Sequence, residues 1–377
     1  MHLLRHGIAW VFALVFALLT LSMLLLHHRL QALLLFAALL LCLPPLEPLL
    51  RRRMGIALRP LPRFVACAAL FALSMALLPD AKNTSLYDSP QIEARMMAIY
   101  DAKMREWPLP YEERFLRTSY GTVHVIVSGE AHLPPLLLLH ASGAGSWSWK
   151  FNAAGLGRRY RLYAVDLIGD AGKSAYADPR RVLRNGRDQA ALYAEITEKL
   201  GIGRADVVGA SEGGFIASNY ALYHPERVRK LVLIAPMGYA GTAGTVVRIL
   251  LAQLFPLPWV QDATFRWAFS DSSALQEEFG EWFRLLMGGC RPLKVVPLPL
   301  SAGEKRKLRV PLLFLFGSRD NLVGEPEAAA ASVRDIPDAA VEVVDAGHLA
   351  AAEKPETVNA LITDFLGADG GNLRKEP

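Results

Sequence analysis

The sequence predicts an α/β fold: a mostly parallel sheet covered by helices on both faces, with a helical insertion and transmembrane helices at the N-terminus. Three observations carry this. Between residues 111 and 366, short apolar runs alternate with helical patterns. From about 238 to 309 the alternation stops and the pattern stays helical and aromatic. The first 79 residues hold three long apolar stretches. Apolar runs without polar alternation imply strands buried on both faces, the mark of a parallel sheet.

Taken in order, Gly7 to Leu26 is twenty residues without Asp, Glu, Lys or Arg, about 30 Å as a helix and enough for a bilayer. Leu30 to Leu43 and Phe64 to Leu78 are shorter. Two or three transmembrane helices are therefore expected in residues 1–79, with a lipid bilayer as partner. Arg51, Arg52, Arg53, Arg59 and Arg63 lie between the second and third stretches, and the positive-inside rule puts them in the cytoplasm. Three spans then make a multi-pass membrane protein whose remaining domain is extracytoplasmic. Two spans leave that domain inside.

Charge follows the same division. Residues 1–79 carry seven Arg and one Glu, net +6, whereas the whole chain is +5, so the rest is net −1. The pI near 9.1 thus reports arginines suited to anionic headgroups, and no nucleic-acid partner is implied. Cys42 and Cys67 fall in apolar stretches and Cys290 stands alone in the remainder, so no intrachain disulfide is expected there.

Residues 80–110 read as a linker and then a helix around Gln91 to Trp107. A domain over 111–366 follows, long enough for a sizeable core. Tyr120-Gly121 reads as a hairpin turn between Phe115–Ser119 and Thr122–Val127. Strand runs follow at 135–139, 161–166, 205–209, 230–235, 311–316 and 340–344. The insertion at about 238–309 carries Phe255, Trp259, Phe265, Phe269, Phe279 and Trp282 among its aromatics. These are either its own core or an apolar wall for a ligand. Residues 367–377 are Gly-rich and charged, and are expected to be a disordered tail.

The chemistry lies at the ends of strand runs. Ala205-Asp206-Val207-Val208 leads directly into Gly209-Ala210-Ser211-Glu212-Gly213. A strand, then Gly-x-Ser-x-Gly, then a helix is the pattern of a nucleophile elbow, whose tight turn admits only small neighbours. Such a serine needs a base and an orienting acid. Asp320 follows the strand run that ends at Gly317, and His348 follows the run that ends at Val344. Ser211, Asp320 and His348 are therefore the expected catalytic residues, with Asp345 a competing acid or a turn residue.

The apolar run Pro134 to Leu139 opens into His140-Ala141-Ser142-Gly143-Ala144-Gly145. A loop of small residues lets backbone N–H groups approach a reacting carbonyl. The backbones of Ser142 and Glu212 are the expected oxyanion hole. His140, Ala141 and Trp147 are candidates for the substrate pocket. Bracing of the loop is the other reading of His140, and helix packing that of Trp147 or Trp149. The Glu212 side chain either points to the pocket mouth or meets the dipole of the following helix. No His or Cys spacing of a metal site occurs, and no metal or cofactor is expected.

Together these residues resemble the α/β-hydrolase superfamily, over roughly Tyr111 to Leu366. His140-Ala141-Ser142-Gly143 is similar to the family's His-Gly-x-Gly loop, with Ala141 in place of the first glycine. Asp166-Leu167-Ile168-Gly169-Asp170-Ala171-Gly172-Lys173-Ser174 is similar to its Asp-x-x-Gly-x-Gly-x-Ser segment, with Asp170 where His or Arg is common. This variant, with Trp107-Pro108-Leu109-Pro110-Tyr111-Glu112, resembles a bacterial carboxylesterase-like branch. The resemblance implies a serine hydrolase that cleaves a small, apolar carboxylic ester through an acyl-enzyme, with a helical cap at the insertion, and the N-terminal stretches add the expectation that it is membrane-anchored. A lipase or acyltransferase acting on membrane lipids, and a non-catalytic ligand-binding module, are the alternatives.

Overall fold

Nine strands among the described residues pair into one sheet, and their order explains where the chemistry sits. The computed structural model describes residues 2–25, 29–43, 60–76, 86–178, 180–239, 258–269, 272–291, 295, 297–337 and 339–368. The Arg51–Arg53 run, Phe255 and the tail beyond residue 368 lie outside them. The chain falls into two compact units, one with the N-terminal helices and one with everything described from Leu86 on.

In the first unit, α1 spans His2–Leu25, α2 Arg29–Cys42 and α3 Pro60–Ala76. Here the sequence expectation is corrected. Among the described residues no helix is long and apolar enough to cross a membrane. At 1.5 Å per residue α2 and α3 reach only about 21 and 25 Å, short of the ~30 Å hydrocarbon core. Phe16, Leu35, Ala38 and Cys67 from the three helices bury one another, so their inward stripes serve as a small helical core. The multi-pass membrane localisation, the bilayer partner and the extracytoplasmic placement all rested on spans and are withdrawn with them.

The second unit opens with α4, Pro90–Met104, capped by Ser89, whose hydroxyl accepts from Ile92 N–H. Met96, Tyr100 and Met104 are its buried face, four residues apart as one helical stripe requires. The strands are β1 Tyr111–Arg117, β2 Gly121–Ser128, β3 Pro135–Leu139, β4 Arg161–Val165, β5 Ala175–Tyr176, β6 Ala205–Ala210, β7 Val228–Ile234, β8 Leu312–Gly317 and β9 Ala339–Val344. Their order is β1-β2-β4-β3-β6-β7-β8-β9, with β5 beside β2. β1, β2 and β5 pair antiparallel, and β4-β3-β6-β7-β8-β9 run parallel.

β3 and β8 carry no polar side chain because both faces of the sheet are covered there. Leu137 and Leu139 face one core layer with Val207 and Phe314. Leu136 and Leu138 face the other with Val208 and Leu315. Each such side chain, fully buried, contributes about 1.5–3 kcal/mol. The helices α5 Lys150–Leu156, α6 Gly186–Lys199, α7 Glu212–Tyr223, α8 Pro258–Ala268, α9 Ser273–Gly289, α10 Ala302–Lys305, α11 Pro326–Val333, α12 Ala350–Glu353 and α13 Pro355–Gly367 complete the described elements. α8, α9 and α10 fall between β7 and β8.

Candidate active site

Six parallel strands point their carboxyl ends the same way, and the loops at β3, β6, β8 and β9 meet there. At β6 the chain turns straight from Ala210 into α7. Ser211, the residue between, has φ 49° and ψ −111°, a strained conformation for a residue with a Cβ. Its glycine neighbours are required by contact. A Cβ on Gly209 would lie 2.3 Å from Gly213 O, and one on Gly213 would lie 2.2 Å from Leu139 O. The elbow is thus pressed against the end of β3, which brings the His140–Gly145 loop to the serine.

His348, on the loop after β9, lies with Nε2 3.0 Å from Ser211 Oγ. Its Nδ1 is 2.8 Å from Asp320 Oδ2. A carboxylate only accepts, so the ring proton sits on Nδ1 and Nε2 faces the serine hydroxyl as acceptor. Asp320 Oδ1 accepts N–H groups of Leu322 and Val323 at 2.8 and 3.0 Å. Burial pushes the Asp320 carboxyl up, but the His348 imidazole and those N–H groups outweigh it and hold it below the usual carboxylate range. Ser211, His348 and Asp320 are all buried. Asp345 stands apart, largely exposed and paired with Arg319 at 3.1 Å.

The residues of the His140–Gly145 loop are equally fixed. His140 Nδ1 donates to Ala141 O at 2.8 Å and its Nε2 accepts Leu167 N–H at 3.1 Å. Both ring nitrogens therefore brace the loop. Glu212 opens α7, so its backbone N–H stands at the positive end of the helix dipole. Its side chain is buried and lines a separate cavity with Leu167, Tyr176, Gln189 and Tyr193, at neither the mouth of the serine pocket nor the helix surface.

Two apolar hollows share the His140–Gly145 loop. One is lined by His140, Ala141, Trp149, Asn152, Ala210 and His348 among others. The other lies under α8 and α9 and is lined by Ser142, Phe265, Phe269, Trp282, Phe283 and Leu286 among others, without His348. Ala141, Ala144, Phe279 and Leu349 border both. Trp147 lines neither. Its ring is wholly buried, 4.9 Å from that of Phe279 and 5.8 Å from that of Trp282, so it packs α9 onto the sheet.

Other residues complete the surroundings of the site. The Phe269 ring lies tilted against that of His348, with centroids 6.0 Å apart. A Cβ on Gly347 would lie 2.6 Å from Phe269 O, and Gly347 N–H donates to Glu353 Oε2 at 2.8 Å. Asn321 Nδ2 donates to Trp267 O at 2.8 Å, tying the Asp320 loop to the end of α8. A second histidine–aspartate pair, His124 Nδ1 with Asp166 Oδ2 at 2.9 Å, is sealed in the core beside Tyr100 and Ser146. Asp166 is the first residue of the motif noted in the sequence. His124 is marked by nothing but its place in β2.

Comparisons with known proteins bear on the fold and the family. The model of the Alpha/beta hydrolase family matches residues 136–361. Carboxylesterase YbfK of Bacillus subtilis (strain 168) is 30% identical, over 74% of this chain and 98% of its own length. The uncharacterized carboxylesterase nap of the same organism is 29% identical, over 74% of this chain and 95% of its own. The crystal structure of naproxen esterase from Bacillus subtilis superposes with a TM-score of 0.67 at 27% identity, covering 76% of this chain and all of that one. The chain belongs to the alpha/beta hydrolase family.

Proposed function

We propose that this ester-hydrolysing, carboxylesterase-like enzyme cleaves carboxylic esters through an acyl-enzyme on Ser211. His348 takes the hydroxyl proton as Ser211 Oγ attacks the ester carbonyl, and Asp320 holds the imidazole in its tautomer and stabilises the charged ring. The N–H groups of Ser142 and Glu212 receive the oxyanion, each contributing about 3 kcal/mol. Collapse of the tetrahedral adduct expels the alcohol with the proton from His348. A water deprotonated by the same ring then releases the acid. The hydrolase domain is taken as 111–366 with its cap at about 238–309, after a linker and helix at 80–110.

One observation carries the reading: the hydrogen-bonded run Asp320 to His348 to Ser211, with both links at 3.0 Å or less. The apolar hollow lined by His348 and the neighbouring one lined by Ser142 support a small, apolar ester, one for the acyl side and one for the alcohol side. Stopped-flow hydrolysis of a p-nitrophenyl ester tests it. A burst of p-nitrophenol equal to the enzyme concentration, or a rate common to esters of one acid with different alcohols, is expected. Rates that track the alcohol throughout, with no burst for any ester, would count against the intermediate.

A further inference from the structure

The oxyanion loop turns through Ala141–Ala144, closed by Ala144 N–H on Ala141 O at 2.9 Å. Ser142 and Gly143 are its two central residues. Gly143 has φ +71°, and a Cβ there would lie 2.2 Å from Leu286 Cδ2 of α9. Both peptide groups of Gly143 are gripped by side chains from distant parts of the chain. Its N–H donates to Asp170 Oδ2 at 2.6 Å. Its carbonyl accepts the indole N–H of Trp282, on α9.

We propose that Asp170 and Trp282 are positioning residues that hold Gly143 between them and so aim the neighbouring Ser142 N–H at the oxyanion. The proposal rests on the acyl-enzyme reading. Asp170 is buried, at 1% exposure, and its other oxygen takes Ala171 N–H at 2.7 Å. A buried carboxylate is tolerated only when N–H groups meet it, and such charge-assisted bonds are short and directional. A negative group so close to the hole is the wrong charge to stabilise an oxyanion directly. Its action is geometric: it draws Gly143 N–H toward itself and leaves Ser142 as the loop's donor. Ser142 then sits between two fixed points, Ala141 O held by His140 and Ala144, and Gly143 N–H held by Asp170. Trp282 sets the far side of the same glycine from the cap helix, where its ring lies 5.8 Å from that of Trp147 and 6.3 Å from that of Tyr100. The placement of α9 is in this way transmitted to the hole.

The test uses the full chain, p-nitrophenyl butyrate as substrate and phenylboronic acid as a probe that forms an anionic tetrahedral adduct on serine. Active sites are titrated with a fluorophosphonate, so that kcat refers to folded enzyme. Misplacing a reacting or stabilising group by about 1 Å costs on the order of 100-fold. Asp170→Ala is therefore expected to lose about that factor in kcat, Asp170→Asn, which keeps one acceptor oxygen, about tenfold, and Trp282→Phe about tenfold, with KM within about twofold. Phenylboronic acid affinity falls in parallel. The double variant Asp170→Asn/Trp282→Phe falls little below the worse single one, because both act through one glycine. A merely structural role moves the melting temperature and KM while kcat per titrated site holds. An active wild type with unchanged kcat in Asp170→Asn and Trp282→Phe, or strictly additive losses, overturns the clamp alone. Activity that survives Ser211→Ala overturns the acyl-enzyme reading and the clamp together. If Asp170→Ala does not fold, Asp170→Asn and Trp282→Phe decide the matter.

Discussion

His348 Nε2 lies 3.0 Å from Ser211 Oγ across 137 residues of sequence. That distance is set by two strand ends, β6 and β9, held apart by β7 and β8 in one parallel sheet. A base on a rigid scaffold at hydrogen-bond reach of a strained serine is poised for proton transfer in either direction.

Removing either member should abolish turnover without unfolding the chain. Ser211→Ala and His348→Ala are each expected to lower kcat by about 10⁴-fold or more, and Asp320→Asn by about 10³–10⁴-fold, with thermal midpoints within a few degrees of wild type. Initial rates with a p-nitrophenyl ester, beside circular dichroism melts, check this. An active Ser211→Ala would point to a different nucleophile.

Gly213→Ala tests the packing that makes the elbow. The added methyl would meet Leu139 O at 2.2 Å and His140 O at 2.6 Å, both backbone atoms that cannot rotate away. A loss of about 1–3 kcal/mol in urea denaturation is expected, together with most of the activity, since relief moves β3's loop from the serine. Wild-type stability and rate would show that the elbow is looser than this contact implies.

Acid stability follows from Asp166 and Asp320. Burial raises both carboxyls, but at Asp166 the His124 imidazole, with lesser help from His140 and Ser146, outweighs it and holds the group far below the usual range. At Asp320 the partners are His348 and the N–H groups of Val323 and Leu322. A carboxyl with a depressed folded pKa takes its proton more readily when unfolded. The stability it gives is complete above the unfolded value near ~3.9 and is lost as pH falls through the depressed folded value. The stability difference between wild type and Asp166→Asn should therefore be level above about pH 5 and shrink below about pH 4. A difference constant down to pH 2 contradicts the assignment.

Phe283 is one wall of the hollow under α8 and α9 and packs its ring 5.2 Å from that of Phe265 and 5.5 Å from that of Phe269. Phe283→Ala opens that cavity toward larger groups. The ratio of kcat/KM for p-nitrophenyl octanoate over acetate should rise by about tenfold. An unchanged ratio would mean that neither side of the ester enters there.

What the sequence made legible was local. Ser211, Asp320 and His348 each follow an apolar run; the Gly-x-Ser-x-Gly pattern and position after a strand made them candidates, and the structure brings them within hydrogen-bond reach of one another. Leu136 to Leu139 read as a doubly buried strand because no polar residue interrupts them. Other features depended on what lands opposite. Asp170 is visible as a departure from a family pattern, but its hold on Gly143 exists only once the β3 loop crosses the end of β4. Trp147 has the look of a pocket wall in sequence; Phe279 and Trp282, more than a hundred residues on, turn it into packing. The N-terminal stretches misled for a related reason. Hydropathy counts apolar residues, whereas α2 and α3 are shorter than a bilayer core and Phe16, Leu35 and Cys67 bury one another. The strand Ala175–Tyr176 is too short to leave a periodicity at all.

The most direct measurement of the central claim is intact-mass analysis after fluorophosphonate labelling, with wild type and Ser211→Ala in parallel at equal folded concentration. The account predicts one adduct per wild-type chain, localised by peptide mapping to Ser211, and none on Ser211→Ala. Equal labelling of the two proteins, or an unlabelled but well-folded wild type, would contradict an activated serine at that position.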